Sequence, residues 1–196
     1  MRNKTFDPDE ALLGALSAFW QDGFERTSMP KLLNSMGIGR ASFYNAFDSK
    51  RDVFIKSLDL YLENVGAHLS RLIADAKDSD CAVAALIDGV LGVANRAGRS
   101  TTDWRGCLIG NTALELGTVD EEIVDRLRLG VEVLRGQFKR ALALPSATGT
   151  KRPDLEIDQS ALHLVASVQG LLVLAKSGLP EADIKTARAA MLATIA

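Results

Sequence analysis

Two cysteines in 196 residues, Cys81 and Cys107, are too few for a disulfide framework, and their spacing matches no zinc pattern. Both are read as thiols. Histidine is equally scarce: with only His68 and His163 available, a metal site would need carboxylates or the thiols alongside, and no local spacing suggests one. No metal and no cofactor are expected. A G-x-S-x-G nucleophile elbow and a glycine-rich phosphate loop are both missing, and two histidines leave little general-base material, so no catalytic residue is assigned. No uninterrupted apolar run approaches the ~20 residues that cross a bilayer, and no membrane partner is expected. The opening MRNKTFDPDE carries basic residues but neither an apolar h-region nor a cleavage-site pattern, so the expected location is cytoplasmic. Runs of alternating β-branched residues are missing too, which leaves little room for a sheet.

What is present is the composition of a folded globular protein, 47% hydrophobic and 24% charged. A formal net charge of −2 argues against a uniformly basic nucleic-acid binder, although a local cationic face fits inside a neutral total. Apolar residues recur at three- and four-residue steps almost throughout, so the fold class is all-α. The first helix is expected over 8–22, with Asp7 as N-cap, Pro8 in the first turn, Gly23 as the stop, and Leu12, Ala15, Leu16 and Phe19 inward. A short second helix follows Thr27 or Ser28 and ends at Gly37; a third runs over 40–47 after Gly39; a long fourth begins near Lys50 and reaches residue 76. Further helices are expected over 80–97, 104–116, 120–144, 157–177 and 180–195, about nine in all, with 145–156 as the clearest loop. The expected division is a three-helix domain over 1–50 and a larger helical domain over 51–196.

The segment GIGRASFYNAFDSK, residues 37–50, has the parts of a helix-turn-helix: a Gly-containing turn, small or polar groove-facing residues, and apolar residues that hold the helix on its neighbours. Arg40 suits guanine or phosphate, Ser42 and Asn45 suit base edges, and Ala41 lets the backbone approach the bases or touch a thymine methyl. Phe43 and Phe47, four residues apart, belong to the core. The cap and first amides around Thr27 and Ser28, the Tyr44 hydroxyl and Lys50 suit phosphates, with Gly39 as a permissive N-cap. Total charge does not decide the matter: six basic and six acidic residues lie within the first fifty, but five of those acids are outside the turn and recognition segment.

The run LSAFWQDGFERTSMPKLLNSMGIGRASFYNAFDSKRDVF resembles the N-terminal DNA-binding domain of the TetR/AcrR family of bacterial transcriptional regulators. The matching features are Phe19 and Gly23-Phe24, Thr27-Ser28-Met29, Gly37-Ile38, Ser42-Phe43-Tyr44 with Phe47, and Ser49-Lys50. The resemblance implies an all-helical homodimer in which the last two long helices of each subunit form a four-helix interface and the middle helices enclose an inducer pocket. The apolar stripe from Leu162 to Leu174 fits such an interface on its own terms, because so greasy a helix needs a partner. The chain departs from the family pattern at Gly14 and Trp20, where helix-favouring small residues are usual, and at Gly39, which replaces a Ser or Thr cap. A mid-helix Gly costs ~1 kcal/mol, so the first helix relies on packing.

In the second half, WRGCLIGNTALEL stands out, and similar GCL-x-x-N-x-A-x-E stretches occur near the ligand-binding core in a subset of such regulators. Trp104 and Phe138 are candidates to line a mostly apolar cavity, with Asn111, His163, Gln169 or His68 as orienting polar groups. Cys107 reads either as a small buried hydrophobe or as a thiol sensing oxidants and electrophiles. The expected function is a ligand-responsive regulator, most simply a repressor, whose homodimer grips a palindromic double-stranded DNA operator until a small-molecule inducer releases it. A redox regulator acting through Cys107, and a helical interaction module that does not bind DNA, are the alternatives.

Overall fold

A computed structural model of the chain describes residues 6–95, 104–118, 120–146 and 156–194. Among these residues it contains nine α-helices and no strand: α1 (Pro8–Asp22), α2 (Met29–Met36), α3 (Arg40–Ala46), α4 (Lys50–Ala74), α5 (Ser79–Ala94), α6 (Leu108–Leu116), α7 (Glu121–Leu142), α8 (Ile157–Lys176) and α9 (Glu181–Ala193). The all-α expectation holds, and the first helix has the expected bounds.

The boundaries follow from capping chemistry. Asp7 accepts the Asp9 N–H at 2.9 Å, with Pro8 in the first turn where its missing donor costs nothing. Ser28, rather than Thr27, caps α2, and Gly37 closes it in the left-handed conformation while the Ile38 N–H reaches back to Leu33. Asp78 caps α5 through the Cys81 N–H at 2.7 Å.

One expected boundary moves. Residues 104–107 are not helical: Gly106 sits at φ 73, a conformation that L side chains avoid and that a helix cannot continue through. Trp104 instead pairs with Asn95 in an isolated bridge, and the Arg105 N–H bonds to the Ala94 carbonyl at 2.9 Å. The expected loop over 145–156 lies, but for its ends, outside the described residues.

The chain divides into two compact units, one of Met1–Glu63 with Leu108–Leu127 and one of Asn64–Cys107 with Arg128–Ala196. Packing therefore groups more than residues 1–50 around the first helices, because the first half of α4 and the whole of α6 bury their apolar faces there. The first core centres on Phe19, Phe24 and Phe54, with the Phe19 and Phe54 rings edge-on at 4.9 Å. Trp20 and Tyr61 make a second edge-on pair at 4.9 Å. The second core gathers Leu69, Leu86, Ile87, Phe138, Leu164 and Leu172, all essentially without exposure.

Helix α8 is long and apolar enough, by length and composition, to cross a membrane. Its inner face, from Ala161 through Val168 to Ala175, is buried in the second core, as in a core helix. Its outer face keeps Leu162, Val173 and Leu174 about half exposed.

Candidate nucleic-acid interface

A seven-residue helix is too short to persist alone, so α3 is held by what it buries. Phe43 is 0% exposed and Phe47 7%, with ring centroids 5.6 Å apart. Burial of such rings contributes ~2–3 kcal/mol each. Anchoring that face turns the opposite one outward in two adjacent rows, Arg40 with Tyr44 and Ala41 with Asn45, all exposed. Tyr44 is 57% exposed, its ring edge-on to Phe43 at 5.2 Å. Ser42 lies half-buried at the margin. Gly39 begins α3 with no side-chain cap, and a Cβ there would meet nothing within 4 Å. The missing cap is a choice of chemistry and not of space.

The phosphate-suited residues divide. Thr27 is fully buried, its hydroxyl donating to the Gly23 carbonyl at 2.6 Å, so it fixes the approach to α2 and offers no group outward. Ser28 is exposed and accepts the Lys31 N–H at 3.4 Å. Lys50 opens α4 with its ammonium 4.3 Å from the centre of the Phe24 ring, a cation–π contact that holds it beside the turn.

Three acidic residues not singled out in the sequence position this unit. Glu115, one residue from the end of α6, accepts the backbone N–H groups of Phe24 at 3.0 Å and Glu25 at 2.8 Å, tying α6 to the link between α1 and α2. Asp120 accepts the Glu122 and Ile123 amides that open α7 and takes a two-pronged bond from Arg51 of α4, at 2.5 and 2.7 Å. The Arg51 bond, its largest influence, holds the Asp120 carboxyl at about 2, below the usual carboxylate range. Asp59 and Arg126 add a third link between α4 and α7, at 3.1 Å. The acid in ALELG was visible in the sequence, but the partner amides, ninety residues away, carry no side-chain signal.

The six residues expected around a ligand do not gather at one site. Asn111 belongs to the first unit; Trp104, Cys107, Phe138, His163 and Gln169 belong to the second. There the Gln169 amide donates to Cys107 Sγ at 3.5 Å, so those two meet. Phe138 is fully buried in the second core, and His163 lies exposed on the outer face of α8 within 3.5 Å of Ser167. Trp104 alone lines the cavity of about 470 Å³ bounded by α5 and α9. A polar cluster that sequence reasoning missed lies elsewhere in this unit, where Gln137 bonds Ser70 at 3.0 Å and accepts from Arg140 at 3.1 Å.

Residues 11–56 match the family described as bacterial regulatory proteins, tetR family, and residues 82–191, more than half of the chain, match the tetracyclin repressor-like C-terminal domain. The chain belongs to the TetR family. Relatives of this TetR-family chain agree with the assignment. The HTH-type transcriptional repressor ComR of Escherichia coli is 28% identical over 90% of this chain and 83% of its own length. The HTH-type transcriptional regulator YezE of Bacillus subtilis is 30% identical over 89% of each. Among solved structures, a cysteine-substituted form of the TetR-family regulator CifR, complexed with 26-base-pair operator DNA, is 26% identical with a TM-score of 0.77, covering 98% of both chains. This TetR-family chain is thus a DNA-binding, helix-turn-helix transcriptional regulator. Its relatives are regulators and not enzymes, and a helical module that ignores DNA finds no support among them.

Proposed function

We propose that the chain is a cytoplasmic repressor that binds a palindromic operator as a homodimer and leaves it when a small molecule occupies the C-terminal unit. The observation that carries the reading is the two-sided character of α3, with Phe43 and Phe47 buried and Arg40, Ala41, Tyr44 and Asn45 exposed together. An exposed row of small, amide and guanidinium groups meets the donor and acceptor pattern of a major groove, while Ser28, Gly39, Tyr44 and Lys50 set register on phosphates. The repressor sense is supported by ComR, and duplex DNA as partner by the operator complex of CifR.

Dimerisation is supported by α8 and α9. The outer face of α8 presents Leu162, Ala166, Gly170 and Val173, and α9 presents Ala182, Ala189 and Ala193, so apolar and small residues together suit close helix packing against a second copy. A two-fold dimer would present two copies of α3 to successive major grooves, about 34–36 Å apart. An inducer acts by favouring a conformation with the wrong separation, to the extent that it binds the two conformations differently. Selection of bound fragments from the source genome tests the reading: the recovered sites should share an inverted repeat with half-sites one helical turn apart. Recovery of unrelated sequences would count against it.

A further inference from the structure

The exposed face of α3 carries an unequal set of chemical groups, and the inequality limits which bases it can read. Its sequence, RASFYNA, contains no acid, so the face offers no carboxylate to accept from the N4 amino group of cytosine. Ala41 and Ala46 are exposed but contribute only methyls, and Ser42 is half-buried at the margin. With the Tyr44 hydroxyl given to phosphate, Arg40 and Asn45 are left as the exposed side chains able to form two hydrogen bonds at once. The protein's own contacts leave both available. Lys31 is taken by Asp22 at 2.7 Å, Lys56 by Asp52 at 2.8 Å and Arg51 by Asp120, whereas the side chains of Arg40 and Asn45 have no hydrogen bond or ion pair among the described residues.

Only purines set two hydrogen-bonding groups side by side in the major groove, and the two purines differ there. Guanine presents two acceptors, O6 and N7, whereas adenine presents the N6 amino donor beside the N7 acceptor. The Arg40 guanidinium has donors only, so it matches guanine and opposes the amino group of adenine. The Asn45 amide has one donor and one acceptor, so it can donate to adenine N7 while accepting from the N6 amino group, and it lacks the second donor that guanine asks for on that edge. Asn45 follows Arg40 by five residues on α3, ~7.5 Å along the helix, or about two base-pair steps of ~3.4 Å. We infer that each half of the operator carries a guanine read by Arg40 and, about two base pairs away, an adenine read by Asn45. The inference rests on the operator-binding reading above and adds to it the bases that are recognised.

The test selects a random-sequence duplex library on the full chain and rebuilds the recovered operator with 7-deazaguanine at the shared guanine or 7-deazaadenine at the shared adenine. Each analogue replaces N7 by C–H and keeps Watson–Crick pairing, so it deletes one of the two hydrogen bonds and little else. Placed in both half-sites, each should weaken binding by at least about fivefold in fluorescence anisotropy at fixed salt, the worth of one hydrogen bond. Arg40→Ala should become indifferent to 7-deazaguanine and stay sensitive to 7-deazaadenine, and Asn45→Ala should show the reverse. Because the analogues alter the DNA, their effect on the unaltered chain does not depend on a variant folding. Half-sites without a guanine and an adenine within about three base pairs, an unaltered chain indifferent to either analogue, or a loss that survives in the matching variant overturns the inference and leaves the regulator reading standing. A chain that enriches no duplex sequence overturns both.

Discussion

Gly14 of α1 lies against Ser35 of α2 so closely that a Cβ at position 14 would stand 2.0 Å from the Ser35 carbonyl oxygen. The obstacle is backbone and cannot swing aside. In an exposed helix, Gly→Ala gains up to ~1 kcal/mol. Here the overlap decides the sign, since forced overpacking costs ~1–3 kcal/mol or more. Gly14→Ala should therefore lower the thermal midpoint by several degrees, read by circular dichroism; a raised midpoint would show that α1 and α2 are not in this contact.

Glu115 accepts two amides of the α1–α2 link, and a substituent on Gly23, at φ 81, would press into the same carboxylate at 2.6 Å. Charge-assisted bonds of this kind contribute ~1.5–3 kcal/mol when protected, less where solvent reaches them, as at Glu25. Glu115→Ala should cost about 1–2 kcal/mol in urea unfolding and weaken operator binding several-fold, with Glu115→Gln intermediate. An unaltered urea midpoint in Glu115→Ala would remove the tie.

Asp120 gives a pH signature. Its pKa is about 2, held down by the Arg51 bond, against an ordinary value near 3.9, so the bound form is the ionised one. Stability from a depressed carboxylate is present above the ordinary pKa and is lost as pH falls through the folded one. The stability difference between the unaltered chain and Asp120→Asn should be constant above about pH 5, shrink progressively below it and vanish only near about pH 1, below the folded pKa. A difference that does not change between pH 6 and pH 3 would contradict the pairing.

The exposed apolar face of α8 predicts association. Leu162→Arg combined with Val173→Arg introduces like charges where two copies would meet, and should convert a dimer to a monomer in analytical ultracentrifugation while leaving helicity intact. Operator affinity should fall by at least tenfold, because a single α3 grips one half-site. A chain that is monomeric before substitution would exclude the proposed interface.

The parts legible in the sequence were those set by local chemistry. Asp7, Pro8, Gly23, Ser28 and Gly37 mark helix ends through caps that span a few residues, and the four-residue spacing of Phe43 and Phe47 announces the buried face of α3. What the sequence leaves open is set by backbone conformation and by tertiary partners. Thr27 and Ser28 are both good caps by type, and only the reach of the Thr27 hydroxyl to Gly23 decides between them. The sequence pattern extends the helix to Trp104 because the left-handed Gly106 looks, in sequence, like any helical glycine. The ties made by Glu115, Arg51 and Asp120 are not legible in the sequence, because an exposed acid or base has no sequence mark distinguishing a tertiary tie from a solvated face. Phe138 and His163 share chemical suitability for a pocket, but helix packing puts one in the core and the other outside.

The central claim is that the exposed face of α3 reads duplex DNA, and the direct measurement is fluorescence anisotropy of a genome-selected operator at fixed salt. The unaltered chain should bind, while Arg40→Ala and Asn45→Ala, each with retained helicity, should lose about tenfold or more, as expected for base-edge contacts worth ~1–3 kcal/mol. Tyr44→Phe should lose less and reduce affinity for all sequences alike. Binding unchanged in both Arg40→Ala and Asn45→Ala would contradict the account.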